Sequence, residues 1–408
     1  MKVFQRYFQQ NQIRWTPTFL NQPDAIVIIP VLNDPDVFDT IDSLRQCSCE
    51  EGNVGVIIVL NHSEGATELE KQTNCKLVSD LQLYIDEKKT VGVCFEIMEA
   101  FDLPAKYAGV GFARKLAMDA AALFFYEQKK FESPILSLDA DTLVEKNYFD
   151  VVLDFFRKTV VAGVSIAYAH RLTECDASSL DAIIKYELYL RYYQLALEYT
   201  GHPHAFHCIG SAFAVRTLDY VAQGGMNKRQ AGEDFYFLQK LISTGRYAYL
   251  KETSVYPSAR FSTRTPFGTG RSLRQIMDAK GEFLVYNFDA FRELKLFFSN
   301  IDHLYKTDGT NVTDYFAKQS TGVQSFLLEI RGEEILAEIN ANCASIPQFK
   351  KRFFDYFNAF RVLKYLNYVH EKHYSKEDVF VSVAVLFRKK DYLLTTDWQE
   401  NLQLLRNL

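Results

Sequence analysis

The feature that most constrains this chain is a series of short, mostly apolar runs with helical patterns between them. The first is 25–30 (AIVIIP), the second 54–60 (VGVIIVL), the third 91–97 (VGVCFEI), the fourth 135–138 (ILSL) and the fifth 160–169 (VVAGVSIAYA). They are rich in β-branched residues and do not alternate with polar ones, the pattern of strands covered on both faces. Between them, residues 36–46 set Val37, Ile41 and Leu44 at helical spacing, and 109–129 forms one long helix with Ala, Leu and Phe on a face. Strands alternating with helices predict crossover units on a parallel sheet of an α/β fold.

From 178 to 270 the pattern changes. A long aromatic helix (DAIIKYELYLRYYQLALEY) leads to a short strand (SAFAVR), then Gly224 and Gly225, a helix opening near Glu233, and a loop from 256 to 272 rich in Arg, Ser, Thr, Pro and Gly. Beyond about 275 the pattern is nearly all helical. There is no internal repeat and no low-complexity tract.

In open α/β sheets ligands sit at the carboxyl ends of the strands, so the polar residues that close each run are the candidates for chemistry. Ser137-Leu138-Asp139-Ala140-Asp141-Thr142 closes the fourth run. Positions i and i+2 of a strand project to one side, and two carboxylates there repel unless a cation or a donor lies between them. A hard divalent cation, Mg2+ or Mn2+, meets that need and keeps coordination sites for phosphate oxygens. Gly232-Glu233-Asp234 opens a helix; the macrodipole alone favours acids there, and one of them has the chemistry of a general base. Arg114, early in the helix GVGFARKLAMDAA, is suited to charge-assisted bonds with a diphosphate, or to a solvated helix face. Arg260, Arg264 and Arg271, with Gly268 and Gly270, make the 256–272 loop a candidate lid over phosphates, although it lacks the GxxxxGK[ST] pattern. His202, His204 and His207 (HPHAFH) match neither a helical pair nor a zinc motif; structural or acceptor-pocket roles suit them, with His207 a candidate third metal ligand.

Taken in order, these segments resemble the family-2 glycosyltransferases of the GT-A fold. AIVIIPVLND is similar to that family's opening strand and loop, VIIVLNHSEGATE to its second strand, FARKLAMDAA to its Ala-Arg-Asn helix, ILSLDADTLV to its DxD strand, and GSAFAVRTLDYVAQGGMNKRQAGEDFYFLQKL to its acceptor-side segment. The resemblance covers roughly residues 24–270. It implies that Asp141 binds the metal with Asp139 near it or near the ribose, and that Pro30, Leu32, Asn33 and Asp34 with Asn61 hold the nucleobase. It further implies that Asp139 and Ala140 line the donor site, that Arg114 meets the base or diphosphate, and that Asp234 is the base beside Glu233. Leu32 stands where the family often has Tyr. Asn61-His62 replaces the usual acidic pair, so a uracil-recognising carboxylate is absent unless Glu64 takes its place. The Gln-x-x-Arg-Trp element of processive members is missing.

The expectation is therefore an N-terminal extension (1–23), a glycosyltransferase domain (24–272) with a nucleotide-sugar half (24–145) and an acceptor half (146–272), and a helical C-terminal domain (273–408). Two rivals share the sheet. A sugar nucleotidyltransferase usually carries a Gly-rich basic loop after its first strand, where this chain has the acidic, glycine-free PVLNDPD. A non-catalytic nucleotide-sugar or glycan-binding protein has no need of the retained DADT and GED.

Composition closes off other classes. A net charge of −5 and a pI near 6.0 lack the basic surplus of a nucleic-acid binder. No run of about 20 apolar residues predicts a spanning helix, and the first 20 residues lack a signal-peptide core. Seven scattered cysteines, an odd number, suggest free thiols in a reducing, cytoplasmic compartment. The expected partners are a nucleotide-sugar donor and a glycan or small-molecule acceptor. The aromatic C-terminal helices suit an acceptor platform, a homo-oligomer interface or a membrane-surface patch.

Overall fold

Eight strands form one sheet: β1 (Ala25–Val31), β2 (Val54–Ser63), β3 (Val93–Leu103), β4 (Pro134–Ser137), β5 (Thr142–Val144), β6 (Gly163–Tyr168), β7 (Phe213–Arg216) and β8 (Tyr247–Pro257). The structure is a computed structural model and describes residues 2–228, 232–260, 269–279, 281–307 and 309–408. The strand order is β3-β2-β1-β4-β7-β6-β8-β5. β1 runs parallel to β2 and β4, β2 to β3, and β6 to β8; β7 is antiparallel to β4 and β6, and β5 to β8. This is the α/β fold with a mixed, mostly parallel sheet flanked by helices that the GT-A resemblance implies.

The strands form because their residues have nowhere else to go. Every residue of β1, β4, β6 and β7 is buried, and Ile26, Val27, Ile28 and Ile29 have no exposed surface. Each such side chain contributes about 1.5–3 kcal/mol relative to exposure. Pro30 is tolerated within β1 because of its place in the ladder. The Leu138 amide bonds to the Ile28 carbonyl at 3.0 Å, and β4 pairing ends at Ile28. Residue 30 points the same way as 28, past the end of β4, so its missing N–H breaks no bond. From β1 the chain moves outward through β2 to β3, whereas β4 lies on the other side of β1. That reversal brings the segments following β1 and β4 together, the place where such sheets bind ligands.

The chain divides into two units, Met1–Cys175 with Cys208–Arg271, and Asp176–His207 with Ser272–Leu408. The aromatic helix Ala177–Tyr199 thus belongs with the C-terminal helices, not with the sheet as expected. The N-terminal segment is part of the first unit, more than an extension. Its helix Lys2–Gln10 buries Phe4 and Tyr7. The Tyr7 hydroxyl donates to Asp119 Oδ1 at 2.6 Å, which also accepts from Tyr220 at 2.5 Å, while Lys115 Nζ donates to Asp119 Oδ2 at 2.8 Å.

The second unit is helical, with a two-residue ribbon pairing Leu284–Val285 and Glu377–Asp378. Its core holds Phe297, Phe298, Phe353 and Phe357 in mutual ring contact. Glu187, with no exposed side-chain surface, pairs with Arg191 at 2.9 Å and Arg406 at 2.7 Å, tying helix Trp398–Arg406 to Ala177–Tyr199. Among the described residues no helix is long and apolar enough to cross a membrane.

Candidate active site

The acidic loop after β4 is held in place through its backbone. The Thr40 hydroxyl, on helix Val37–Arg45, donates to the Ala140 carbonyl at 2.8 Å. The Asp141 carbonyl accepts from Arg171 Nη2 at 2.9 Å and from the Ser258 amide at 3.1 Å. Leu138 is tied to β1 as described, and Thr142 N–H returns to the Asp139 carbonyl at 3.2 Å. Asp139 and Asp141 therefore stand at a fixed strand end.

Across the topological switch lies the loop that follows β1. Asp34 is buried, and its Oδ1 accepts from the Asp36 amide at 3.2 Å. Arg260, three residues past the end of β8, reaches this loop and the β4 loop together. Its guanidinium contacts Asp34, Asp36 at 2.6 Å and Asp141 at 3.4 Å. Burial, then the negative charges of Asp139 and Asp34, push the Asp141 carboxyl up to about 7, with Arg260 opposing. Carboxylates crowded in this way stabilise a bound cation.

Arg114 is placed differently from the expectation. It is buried, with side-chain exposure of 2%, and bridges Asp139 at 2.5 Å and Glu233. It is therefore an internal tie between the β4 loop and the start of helix Glu233–Ile242, with little surface to offer a donor. Gly210 makes room for it. A Cβ there would stand 3.0 Å from Arg114 Nη2 and 3.1 Å from Asp234 Oδ2, and the Gly210 carbonyl accepts from the Ser137 hydroxyl at 2.7 Å. Glu233 is buried, whereas Asp234, the next residue, is partly open. Burial raises the pKa of both, and the Arg114 charge opposes it.

The other expected residues separate into groups. Pro30 is in β1, and Leu32 and Asn33 follow it, Asn33 at a left-handed φ of 47°. Asn61 serves structure: its side-chain Nδ2 donates to the Val31 carbonyl at 2.8 Å, and its backbone carbonyl accepts from Asn74 Nδ2 at 2.9 Å. Asn74 Oδ1 accepts from the Asn33 amide at 3.2 Å, so Asn61 shapes the β1 loop through its neighbour. Arg271 is exposed on helix Thr269–Asp278, and Arg264 and Gly268 lie outside the described residues. His207 belongs to the second unit, where burial holds its pKa down at about 3; burial likewise lowers His202 to about 3 and lowers His204. The His202 ring nitrogen Nε2 meets the Phe357 carbonyl at 2.6 Å, a packing role.

Among the described residues, no group of three or more His, Cys, Asp or Glu side chains is arranged to hold a metal ion, so the third-ligand expectation for His207 finds no such group. The oxygen donors at the strand ends, crowded enough to raise Asp141, suit a hard cation that takes its remaining ligands from phosphate oxygens. Sequence reasoning missed Asp36, Thr40, Arg171 and Gly210. Asp36 was within reach, being acidic and two residues past Asp34. Thr40, Arg171 and Gly210 act through long-range contacts that no local pattern encodes.

No family model matches the chain, and no curated protein matches it significantly. Solved structures do. S. aureus TarS 1–349 in complex with UDP-GlcNAc is similar at 13% identity over 91% of this chain and 93% of that one, with a TM-score of 0.41. The mannosyltransferase PcManGT from Pyrobaculum calidifontis, in complex with GDP-Man and Mn2+, is similar at 13% identity over 100% of this chain and 91% of that one, with a TM-score of 0.36. One of these two structures is named a mannosyltransferase, and each is described in complex with a nucleotide sugar.

Proposed function

We propose that this chain transfers a sugar from a nucleoside-diphosphate sugar to an acceptor hydroxyl. The observation that carries the proposal is that Arg260 joins Asp34 to Asp141 at the carboxyl ends of β1 and β4, while Arg114 joins Asp139, on the same loop as Asp141, to Glu233 beside Asp234. A phosphate-bearing donor and a proton-losing acceptor need these two kinds of group on either side of one point.

Asp141 and Asp139 would hold Mg2+ or Mn2+, which when bound neutralises charge on the leaving diphosphate. Pro30, Leu32, Asn33 and Asp34 would wall the nucleoside side, with Asn61 and Asn74 fixing that loop's shape. Ala140 keeps the loop rigid through Thr40. Arg260 would meet the diphosphate from the β8 side, and Arg264 and Arg271 are assigned to the same lid. Asp234 would take the acceptor proton. Burial raises its pKa and so makes it a stronger base, and its neighbour Glu233 is already committed to Arg114. The acceptor is a glycan or a small molecule. None of the seven cysteines forms a disulfide, and the location we propose is the cytoplasm.

A thermal-shift panel of UDP, GDP, CDP, ADP and dTDP, each with and without Mn2+, tests this directly. A ligand at a hundred times its dissociation constant adds about 2.7 kcal/mol of stability. A metal-dependent rise with one nucleotide is the expected result; a folded protein that responds to none of them counts against a nucleotide-sugar site.

A further inference from the structure

Three carboxylates at the β1 and β4 ends already have a cation of their own. Arg260 Nη1 lies 2.6 Å from Asp36, and Nη2 contacts Asp34 and lies 3.4 Å from Asp141. Its guanidinium is about a quarter exposed (28%), in contrast to the enclosed Arg114. The backbone beneath it is held independently of the ion pairs. β8 pairs with β5 through Pro257 and Thr142, the Ser258 amide bonds to the Asp141 carbonyl, and the Arg260 amide bonds to Ser258 Oγ at 3.3 Å. The side chain can therefore leave the carboxylates by rotation alone, while its backbone stays beside Asp141. A guanidinium and a divalent ion cannot both neutralise the same carboxylate oxygens at full strength, because each loses attraction to the charge that the other has cancelled.

We propose that Arg260 is the resident counter-ion of the strand-end carboxylates and competes with the divalent cation for them, so that metal binds well only when a diphosphate arrives to take the arginine. Before the donor enters, Arg260 satisfies Asp34, Asp36 and Asp141. When metal and diphosphate enter together, the guanidinium turns from the carboxylates to the phosphate oxygens, keeping a charge-assisted partner throughout. Metal alone has to displace it with no such compensation. The proposal rests on the strand-end metal site of the preceding section and adds to it a reason for ordered, mutually dependent binding of metal and nucleotide.

The test is the affinity for Mn2+ alone, measured by calorimetry on the full chain, for the unaltered protein and for Arg260→Gln, Arg260→Lys and Asp141→Asn. Removing the competing charge in Arg260→Gln is expected to tighten Mn2+ binding without nucleotide on the order of tenfold, about 1.4 kcal/mol. Arg260→Lys, which keeps a charge but loses the two-pronged contact, should show a smaller gain. With nucleotide present the difference should shrink or reverse, because the substituted side chain no longer meets the diphosphate. Arg260→Gln and Arg260→Lys that both bind Mn2+ no more tightly than the unaltered protein would overturn the proposal, while Mn2+ binding lost in Asp141→Asn leaves the metal site standing. Mn2+ binding that Asp141→Asn leaves untouched, or that is absent in every variant with or without nucleotide, overturns both the proposal and the metal site on which it rests.

Discussion

Replacing Arg114 by Met gives the sharpest test of how the site is assembled. Methionine keeps most of the length and loses the charge. It strands Glu233, whose side chain is 4% exposed, without its ion-pair partner. Breaking a buried pair by removing one member costs about 3–5 kcal/mol, because the remaining charge stays desolvated. Asp139 adds little to that figure, since its side chain is 39% exposed and water can replace the arginine there. The cost has a pH signature. Burial already raises the Glu233 pKa, and losing Arg114 raises it further. A carboxylate with a raised folded-state pKa is destabilising only where the unfolded chain would ionise it. The penalty is therefore absent well below the ordinary value of about 4.3, grows as pH rises to the folded-state pKa, and is constant beyond. Urea unfolding of Arg114→Met against the unaltered protein should show a loss that grows above about pH 7, where Glu233 of the unaltered protein ionises, and so is larger at pH 8 than at pH 5. Adding Glu233→Gln removes the stranded charge and should recover about 2 kcal/mol at pH 8, a coupling of the size found for contacting residues. A loss below about 1 kcal/mol at pH 8, or one independent of pH, would refute the claim that Arg114 neutralises a buried Glu233.

Asp234→Asn should lower transfer by about a hundredfold or more while leaving nucleotide affinity within twofold, measured as separate kcat and Kd changes. Tyr7→Phe removes one of the buried bonds to Asp119 and should cost about 1–2 kcal/mol by denaturant unfolding. Gly225→Ala should cost more than about 2 kcal/mol: φ is +65° there, and the new Cβ would fall 1.9 Å from the Tyr7 hydroxyl, so the N-terminal helix has to move.

The runs that gave β1 and β2 were legible because burial on both faces leaves no room for polar residues. β5 and β8 were not: Thr142–Val144 has three residues, and Tyr247–Pro257 (YAYLKETSVYP) mixes exposed charges with buried positions, which resembles neither template. The helix Glu68–Glu87 went unread because its polar surface hides the stripe around Leu77 and Leu81. At the site, the carboxylates were legible as residue types at strand ends, but their partners were not. Asp34 and Arg260 are 226 residues apart in sequence, and nothing local distinguishes an arginine that turns inward, like Arg114, from one that faces a ligand. The assignment of 176–207 to the sheet unit failed for a similar reason: a helix with aromatics on several faces does not declare which neighbours bury them.

The most direct test of the account is release of nucleoside diphosphate from UDP-GlcNAc, GDP-Man and related donors, with Mn2+ or Mg2+ and with chelator, by the unaltered protein and by Asp141→Asn. The account predicts release from one donor class that requires the metal and disappears in Asp141→Asn. Release that persists in chelator and in Asp141→Asn, or none from any donor by a protein that shows no metal-dependent nucleotide binding, would contradict it.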